Sequence, residues 1–170
     1  ACRLSRLLID PTVWHHGRVK KLLVIAFIFF LQTGVVVFAD FCKGLDAYQA
    51  EYFATSRNEL TLAANESNNR AQYLLGLMCY HGKGGAQDYK AAFKWSKLAA
   101  DQGFARAQFI VGDMYAQGLG VDQDLEAAFE WYRLAASNGL VVAQNLVGTA
   151  YHDGTNVRQD YQQALKWLQL

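Results

Sequence analysis

The chain has 170 residues, of which 52% are hydrophobic and 18% are charged, so it can bury a core and is not a disordered segment. A single proline, with many alanines, leucines, glutamines and aromatic residues, favours an all-α fold. From residue 40 onward there are 14 acidic and 11 basic residues, and this mildly acidic balance without a basic stripe argues against nucleic-acid binding.

The N-terminal segment is typical of an export signal. Basic residues from Arg18 to Lys21 precede an apolar run over 22–31, and Ala39 ends a sequence that suits signal peptidase. We therefore predict a signal helix over residues 19–39, cleaved after Ala39, and a periplasmic or secreted protein. The alternative is an uncleaved inner-membrane anchor, which would be the protein's only membrane contact, since about 18 weakly polar residues can just span a bilayer.

The first 18 residues are interpreted as an over-extended or non-native N terminus. No methionine precedes Met78, and Val19 is followed by two lysines. This order is typical of a bacterial signal peptide that begins at an alternative start codon.

The remainder of the chain repeats with a period of 36 residues and without gaps. Residues 71–106 and 107–142 agree at 16 of 36 positions, and residues 143–170 agree with the second copy at 12 of 28. A fixed period of this length indicates a solenoid of helical hairpins. Nine positions are the same in all three copies: Ala71/Ala107/Ala143, Gln72/Gln108/Gln144, Gly76/Gly112/Gly148, Gly82/Gly118/Gly154, Gln87/Gln123/Gln159, Asp88/Asp124/Asp160, Ala92/Ala128/Ala164, Trp95/Trp131/Trp167 and Leu98/Leu134/Leu170.

Each copy is predicted to contain two helices. In copy two, apolar residues from Ala107 onward follow a 3.6-residue period, and Gly118 ends this first helix in a left-handed conformation. Asp124 is the predicted N-cap of the second helix. The buried stripe of that helix is predicted to consist of Leu125, Ala128, Trp131, Tyr132 and Ala135.

These motifs resemble the Sel-one-like repeats, relatives of the tetratricopeptide repeat. The resemblance is carried by the Ala-Gln-x-x-x-Gly sequence at Ala71, the Gly-x-Gly turn at Gly82, the Gln-Asp-Tyr at Gln87 and the Leu-Ala-Ala-Asp-Gln-Gly that ends at Gly103. It implies a right-handed α-solenoid of antiparallel helix hairpins, with a leading hairpin over residues 40–70. Copy three has Asn156 at the second turn glycine and stops inside its second helix, so we expect that repeat to be truncated.

The resemblance implies a scaffold that binds a protein or peptide partner on its concave face, with no cofactor, metal or catalytic residue. In tetratricopeptide-like arrays the first helix of each pair lines this face. Its non-packing positions, called the A-helix stripe below, are Tyr73, Leu77, Tyr80, His81, Phe109, Asp113, Gln117, Asn145, Thr149 and His152. The alternative is that the aromatic residues Tyr73, Tyr80 and Phe109 pack on the leading hairpin instead.

Two other functions stay open at this point. Hydrolase activity is attributed to cysteine-rich relatives, but His81 and His152, the candidate bases, occupy non-equivalent positions with no nucleophile placed by the spacing. The chain could also be the adaptor module of a larger protein. Its cysteines do not follow the cysteine-rich pattern: Cys42 and Cys79 are offset by about 7.5 Å along neighbouring helices, so both are predicted to be reduced thiols.

Overall fold

The computed structural model describes residues 40–168, and within them every regular element is a helix. The predicted signal helix over 19–39 and the predicted extension over 1–18 lie outside the described residues. The helices are residues 40–49 (α1), Phe53–Asn65 (α2), Asn69–His81 (α3), Tyr89–Asp101 (α4), Ala105–Gln117 (α5), Leu125–Ser137 (α6), Val141–Asp153 (α7) and Tyr161–Leu168 (α8).

The helices stack in chain order, as the 36-residue period predicts. The pairs α3 and α4, α5 and α6, and α7 and α8 form three hairpins, and each hairpin packs on the previous one through α2 and α3, α4 and α5, or α6 and α7. Because each contact joins neighbours along the chain, the hydrophobic core runs as a row of clusters between hairpins. The predicted all-α solenoid is confirmed.

The predicted helix ends are also confirmed. Gly118 follows α5 with a φ of 68°, in the left-handed region where glycine carries no Cβ penalty. The side chains of Asp88 and Asp124 accept hydrogen bonds from the third backbone N–H of α4 and α6. These carboxylates therefore cap the two helices.

A repeated glutamine ties each hairpin to the one before it. Nε2 of Gln72 donates to the carbonyl oxygen of Ala64 at 3.0 Å, and Nε2 of Gln108 donates to that of Ala100 at 3.1 Å. Both glutamines are buried, and each lies against the last turn of the preceding helix. The two carbonyl oxygens also accept from the backbone N–H groups of Ser67 and Gly103, so the glutamine adds a second donor that joins the hairpins.

The repeated helical glycines let the two helices of a hairpin approach closely. A Cβ atom added at any of them would lie closer than 3.0 Å to one side chain of the partner helix. That side chain occupies the same register position in every hairpin but differs in size: Leu60 at Gly44, Ser96 at Gly76, Tyr132 at Gly112 and Leu168 at Gly148.

The cysteine prediction is half correct. Cys79 is a buried reduced thiol on α3, and its Sγ accepts a 3.4 Å hydrogen bond from Arg57. Burial raises the pKa of this thiol, and the nearby Arg57 opposes the rise. Cys42, however, is disulfide-bonded. The prediction was wrong for Cys42 because it tested only the pairing of Cys42 with Cys79.

Candidate functional site

In copy one, the A-helix stripe is mostly an aromatic surface. The Tyr73 ring packs edge to face on Phe104, with 5.1 Å between ring centroids, and Tyr80 packs on Tyr89 at 5.3 Å. Both stripe tyrosines are half-buried, as is Leu77. His81 is exposed, and its ring contacts Tyr80 at 5.0 Å. Tyr73 therefore packs on the turn between copies one and two.

In copy two, two of the three stripe residues contact the same side chain of α6. The Tyr132 ring lies 5.3 Å from Phe109, and its hydroxyl donates a 2.7 Å hydrogen bond to Oδ1 of Asp113. Gln117 is exposed at the C-terminal end of α5. Tyr132 was predicted to be a buried packing residue, and it also contacts the A-helix stripe.

In copy three, the stripe is polar and open to solvent. Asn145, Thr149 and His152 are all exposed. The Thr149 hydroxyl donates to the backbone carbonyl of Asn145 at 2.9 Å. Both of these side chains are polar and uncharged. The His152 ring contacts Tyr161, and its Nδ1 lies 2.6 Å from Oδ1 of the exposed Asp153.

An open hollow of about 520 Å³, here called the apolar groove, lies between the second and third hairpins. Its floor is α6, and its walls come from α5, α7 and the loop after α7. Leu125 was predicted to be buried, and this prediction is wrong: it is 47% exposed because it lies at the groove. The lining consists of Ala116, Leu125, Ala128, Phe129, Tyr132, Asn145, Leu146, Thr149, Ala150, Thr155 and Asn156.

The apolar groove exists because smaller residues stand at the boundary between copies two and three. In the equivalent space between the first and second hairpins, Tyr80, Met114 and Leu119 belong to one packed cluster. The positions 36 residues later hold alanine, alanine and threonine, which leave that volume empty. Three large side chains that close the first space are thus absent from the second.

A second hollow, the arginine groove, lies at the other end of the first helices of the repeats. It measures about 1130 Å³ and contains Arg70 and Arg106, neither of which has a carboxylate within ion-pair distance among residues 40–168. Burial raises the pKa of Tyr73 in its wall, and the charge of Arg106 opposes the rise. This groove is lined by both polar and apolar residues. The rest of its lining consists of Phe41, Leu45, Asp46, Gln49, Leu74, Gly103, Phe104, Ala105, Asn138, Gly139 and Leu140.

The hydrogen bond between Tyr132 and Asp113 sets the electrostatics at the edge of the apolar groove. Partial burial raises the pKa of Asp113, and the hydrogen bond from Tyr132 works in the opposite direction. The pKa of Tyr132 is raised, chiefly by burial and then by its bond to the carboxylate. Among residues 40–168, Asp113 has no basic side chain within ion-pair distance. Its charge is thus available to a ligand.

The described residues do not bring the two candidate histidine bases together. His81 and His152 lie on different hairpins, and their ring contacts are with tyrosines and with Asp153. Within residues 40–168, no three histidine, cysteine or acidic side chains are grouped in a way that could hold a metal ion. In the same part of the chain, no helix has the length and apolar character needed to cross a membrane.

The family of the chain follows from the match of its repeats. The model of the Sel1 repeat matches residues 69–104, 105–140 and 141–170. The chain belongs to the Sel1 repeat family. The matched ranges begin at or next to the first residues of α3, α5 and α7. Sel1 repeat proteins are generally scaffolds that bind protein partners.

Two solved Sel1-type structures show the same fold. A Sel1 repeat protein from Oxalobacter formigenes is 34% identical, with a TM-score of 0.73 over 77% of this chain and 39% of that one. A protective antigen present in uropathogenic Escherichia coli strains, which displays an SLR fold, is 31% identical, with a TM-score of 0.73 over 89% of this chain and 32% of that one. The chain thus spans well under half of either relative. No curated protein matches the sequence.

The sequence prediction missed several residues that form the apolar groove. It selected Asn145 and Thr149 on the stripe but not Ala116 and Ala150, because small apolar residues carry no chemical signature. A comparison between copies could have found them, since a large residue is replaced by alanine at both positions. Tyr132 was predicted only as a packing residue. Gly112, on which it packs, indicates a close contact but does not indicate that the Tyr132 hydroxyl reaches Asp113.

Proposed function

We propose that this protein is an exported scaffold whose A-helix stripe binds an extended peptide or a segment of a partner protein. The observation that supports this proposal is the contrast between two sets of positions. The aspartates before the second helices, the glycines that end the first helices and the glutamines that join hairpins are the same in every copy. The stripe, in contrast, differs in each copy and contributes to the linings of two open grooves. Positions without a structural requirement are free to serve recognition.

The surface chemistry supports a peptide or protein ligand. Tyr73, Tyr80 and Phe109 give the stripe aromatic area, and aromatic residues are enriched among the residues that dominate binding energy at protein interfaces. Both grooves are open hollows at hairpin boundaries rather than closed cavities. Such surfaces suit an extended chain that places side chains into successive hollows.

Export is proposed from the sequence of residues 19–39. A test is the intact mass and subcellular fraction of the full-length product expressed in a bacterium. A soluble envelope species that begins at Asp40 would support export with cleavage. A membrane-bound species that retains residues 22–39 would contradict cleavage and make the protein an anchored adaptor.

Binding through the A-helix stripe is tested by site-specific photocross-linking in cells. A photoreactive phenylalanine analogue is placed at Leu77 or Gln117 on the stripe, and as a control at Leu98 or Leu134, which are 41% and 40% exposed on α4 and α6. Specific adducts from the stripe positions and few from the control positions would support the proposal. Adducts from the control positions alone would contradict it.

A further inference from the structure

We infer that the apolar groove is a docking site for a peptide segment that carries one bulky apolar side chain next to a lysine or arginine. This inference rests on the proposed function and names the chemistry of the ligand at one part of the stripe. It depends on three observations: the shape left by missing side chains, the conformation of the loop at Asn156 and the distribution of charge.

The shape of the groove matches the side chains that fill the equivalent space one repeat earlier. There, Met114 is fully buried against Ala92, and Tyr80, Phe93 and Leu119 pack around them. In the apolar groove the floor is retained as Ala128 and Phe129, but the tyrosine, methionine and leucine are absent. The floor thus presents to solvent a surface that the fold elsewhere covers with an aromatic or aliphatic group. An incoming side chain of that kind would restore the buried contacts.

The loop after α7 keeps the groove open. Gly120, in the loop after α5, packs so tightly on the first turn of α4 that a Cβ there would clash with the carbonyl oxygen of Tyr89. Asn156 takes the same left-handed conformation, with a φ of 62° against 74° for Gly120, but it has a side chain. Because its Cβ forbids the same approach to α6, the loop cannot close over Leu125. The opening is therefore built into the sequence.

The acidic residues near the groove favour a ligand that carries a lysine or an arginine. Residues 40–104 contain seven acidic and seven basic residues, whereas residues 105–168 contain seven acidic and four basic ones. Asp113 is bonded to Tyr132 in the groove floor, and Glu126 lines an adjoining hollow that shares Leu125 with the groove. Among residues 40–168, neither carboxylate has a basic partner. A cationic side chain beside the apolar one would pair with either.

The test measures binding of labelled nine-residue peptides to the full chain by fluorescence anisotropy. The first peptide has a central phenylalanine flanked by lysines; the others replace the lysines with glutamates, or the phenylalanine with alanine. We expect the alanine peptide to bind at least about tenfold more weakly and the glutamate peptide at least about fivefold more weakly. Equal binding of the lysine and glutamate peptides, or of the phenylalanine and alanine peptides, would overturn the inference.

Variants locate the binding site. Ala116→Tyr installs the residue that copy one has at this position, Tyr80, and should reduce binding of the lysine peptide at least about tenfold. Ala150→Met, which installs the equivalent of Met114, is a second filling variant in case the first does not fold. Leu134→Tyr is the matched control because it adds a large side chain to α6 outside the lining. Unchanged binding by a folded filling variant would overturn the inference.

The remaining outcomes separate this inference from the proposed function. If no peptide binds but cross-links still form at Leu77 or Gln117, the ligand chemistry is wrong and the scaffold function stands. Loss of the cross-links as well would count against both. Self-association that Ala116→Tyr abolishes, without peptide binding, would assign the groove to a second copy and overturn the inference.

Discussion

The hydroxyl of Tyr132 on α6 donates a 2.7 Å hydrogen bond to Oδ1 of Asp113 on α5, and it does so in only one of the three copies. The equivalent pairs are Leu77 and Ser96 in copy one, and Thr149 and Leu168 in copy three. Within residues 40–168, the buried Ser96 hydroxyl of copy one has no hydrogen-bond partner. The bond is therefore a feature of this hairpin and not of the repeat, and it lies beside the apolar groove.

Removing this hydroxyl should destabilise the second hairpin. Tyr132→Phe leaves a half-buried carboxylate without its donor, and we expect a loss of about 1–2 kcal/mol in the free energy of unfolding, since a bond to a charged group in a partly exposed site has this value. Chemical denaturation of the full chain measures it. Tyr115→Phe is the matched control, because within the described residues the Tyr115 hydroxyl makes no hydrogen bond, and its loss should be below about 0.5 kcal/mol. Equal losses would contradict a specific bond.

Stability should depend on pH through Asp113. Burial raises the pKa of this carboxyl, so the folded state holds its proton more tightly than the unfolded state, and ionisation at neutral pH lowers stability. Asp113→Asn removes that cost and keeps an oxygen that accepts from Tyr132. We expect the variant to gain stability at pH 7, by less than about 1 kcal/mol because solvent screens the site.

The pH profile provides the check on this prediction. The gain of Asp113→Asn should be largest at pH 7 and should disappear as the pH falls below the ordinary aspartate pKa of about 4, because the carboxyl is then protonated in both the folded and the unfolded state. Melting temperatures at several pH values measure it, with the exposed Asp122→Asn as the control. A gain that does not change with pH would show that ionisation is not its cause.

The repeated glutamine should be a major source of cohesion between hairpins. Gln108 is 4% exposed, donates to Ala100 and accepts from Asn138 at 2.8 Å. Gln108→Met keeps the length of the side chain but removes its donor to Ala100, whose carbonyl oxygen then accepts only from the backbone, with Gly103 N–H at 2.9 Å, so we expect a loss of about 1–2 kcal/mol.

Gln144 occupies the same position in copy three and provides a comparison for Gln108→Met. Gln144 is less buried and donates to Ala136 at 3.2 Å. Gln144→Met should therefore lower the free energy of unfolding by about 1 kcal/mol or less. Denaturant unfolding of both variants measures the difference, and a larger loss for Gln144→Met would refute the dependence on burial.

The loop glycine should be required in copy two and dispensable in copy three. Gly120→Asn allows the left-handed conformation but places a Cβ against the Tyr89 carbonyl, so we expect a loss of about 1–3 kcal/mol as the loop moves away. The reciprocal Asn156→Gly should change stability by less than about 1 kcal/mol. Thermal unfolding compares them, and equal effects would show that conformation rather than close approach decides the residue.

The repeated part of the fold could be predicted because the same requirements recur in every copy. The 36-residue period, the cap at Asp124 and the stop at Gly118 all depend on short-range interactions that the chain order fixes. The stripe was named by analogy with tetratricopeptide-like arrays, and its role in binding stays a prediction. Leu125 was predicted to be buried because it follows the helical periodicity of α6. Its burial also requires large side chains from the neighbouring repeat, and that repeat lacks them.

The sequence by itself therefore determined the all-helical solenoid, its register and its helix ends, because these depend on residues within a few turns of one another. Only the tertiary structure decided which spaces between hairpins are filled. Whether the smaller residues Ala116 and Ala150 leave a groove, and whether Tyr132 reaches Asp113, depends on side chains from three helices that meet across repeats. Packing density is a property of such a group of residues and not of any one position in the chain.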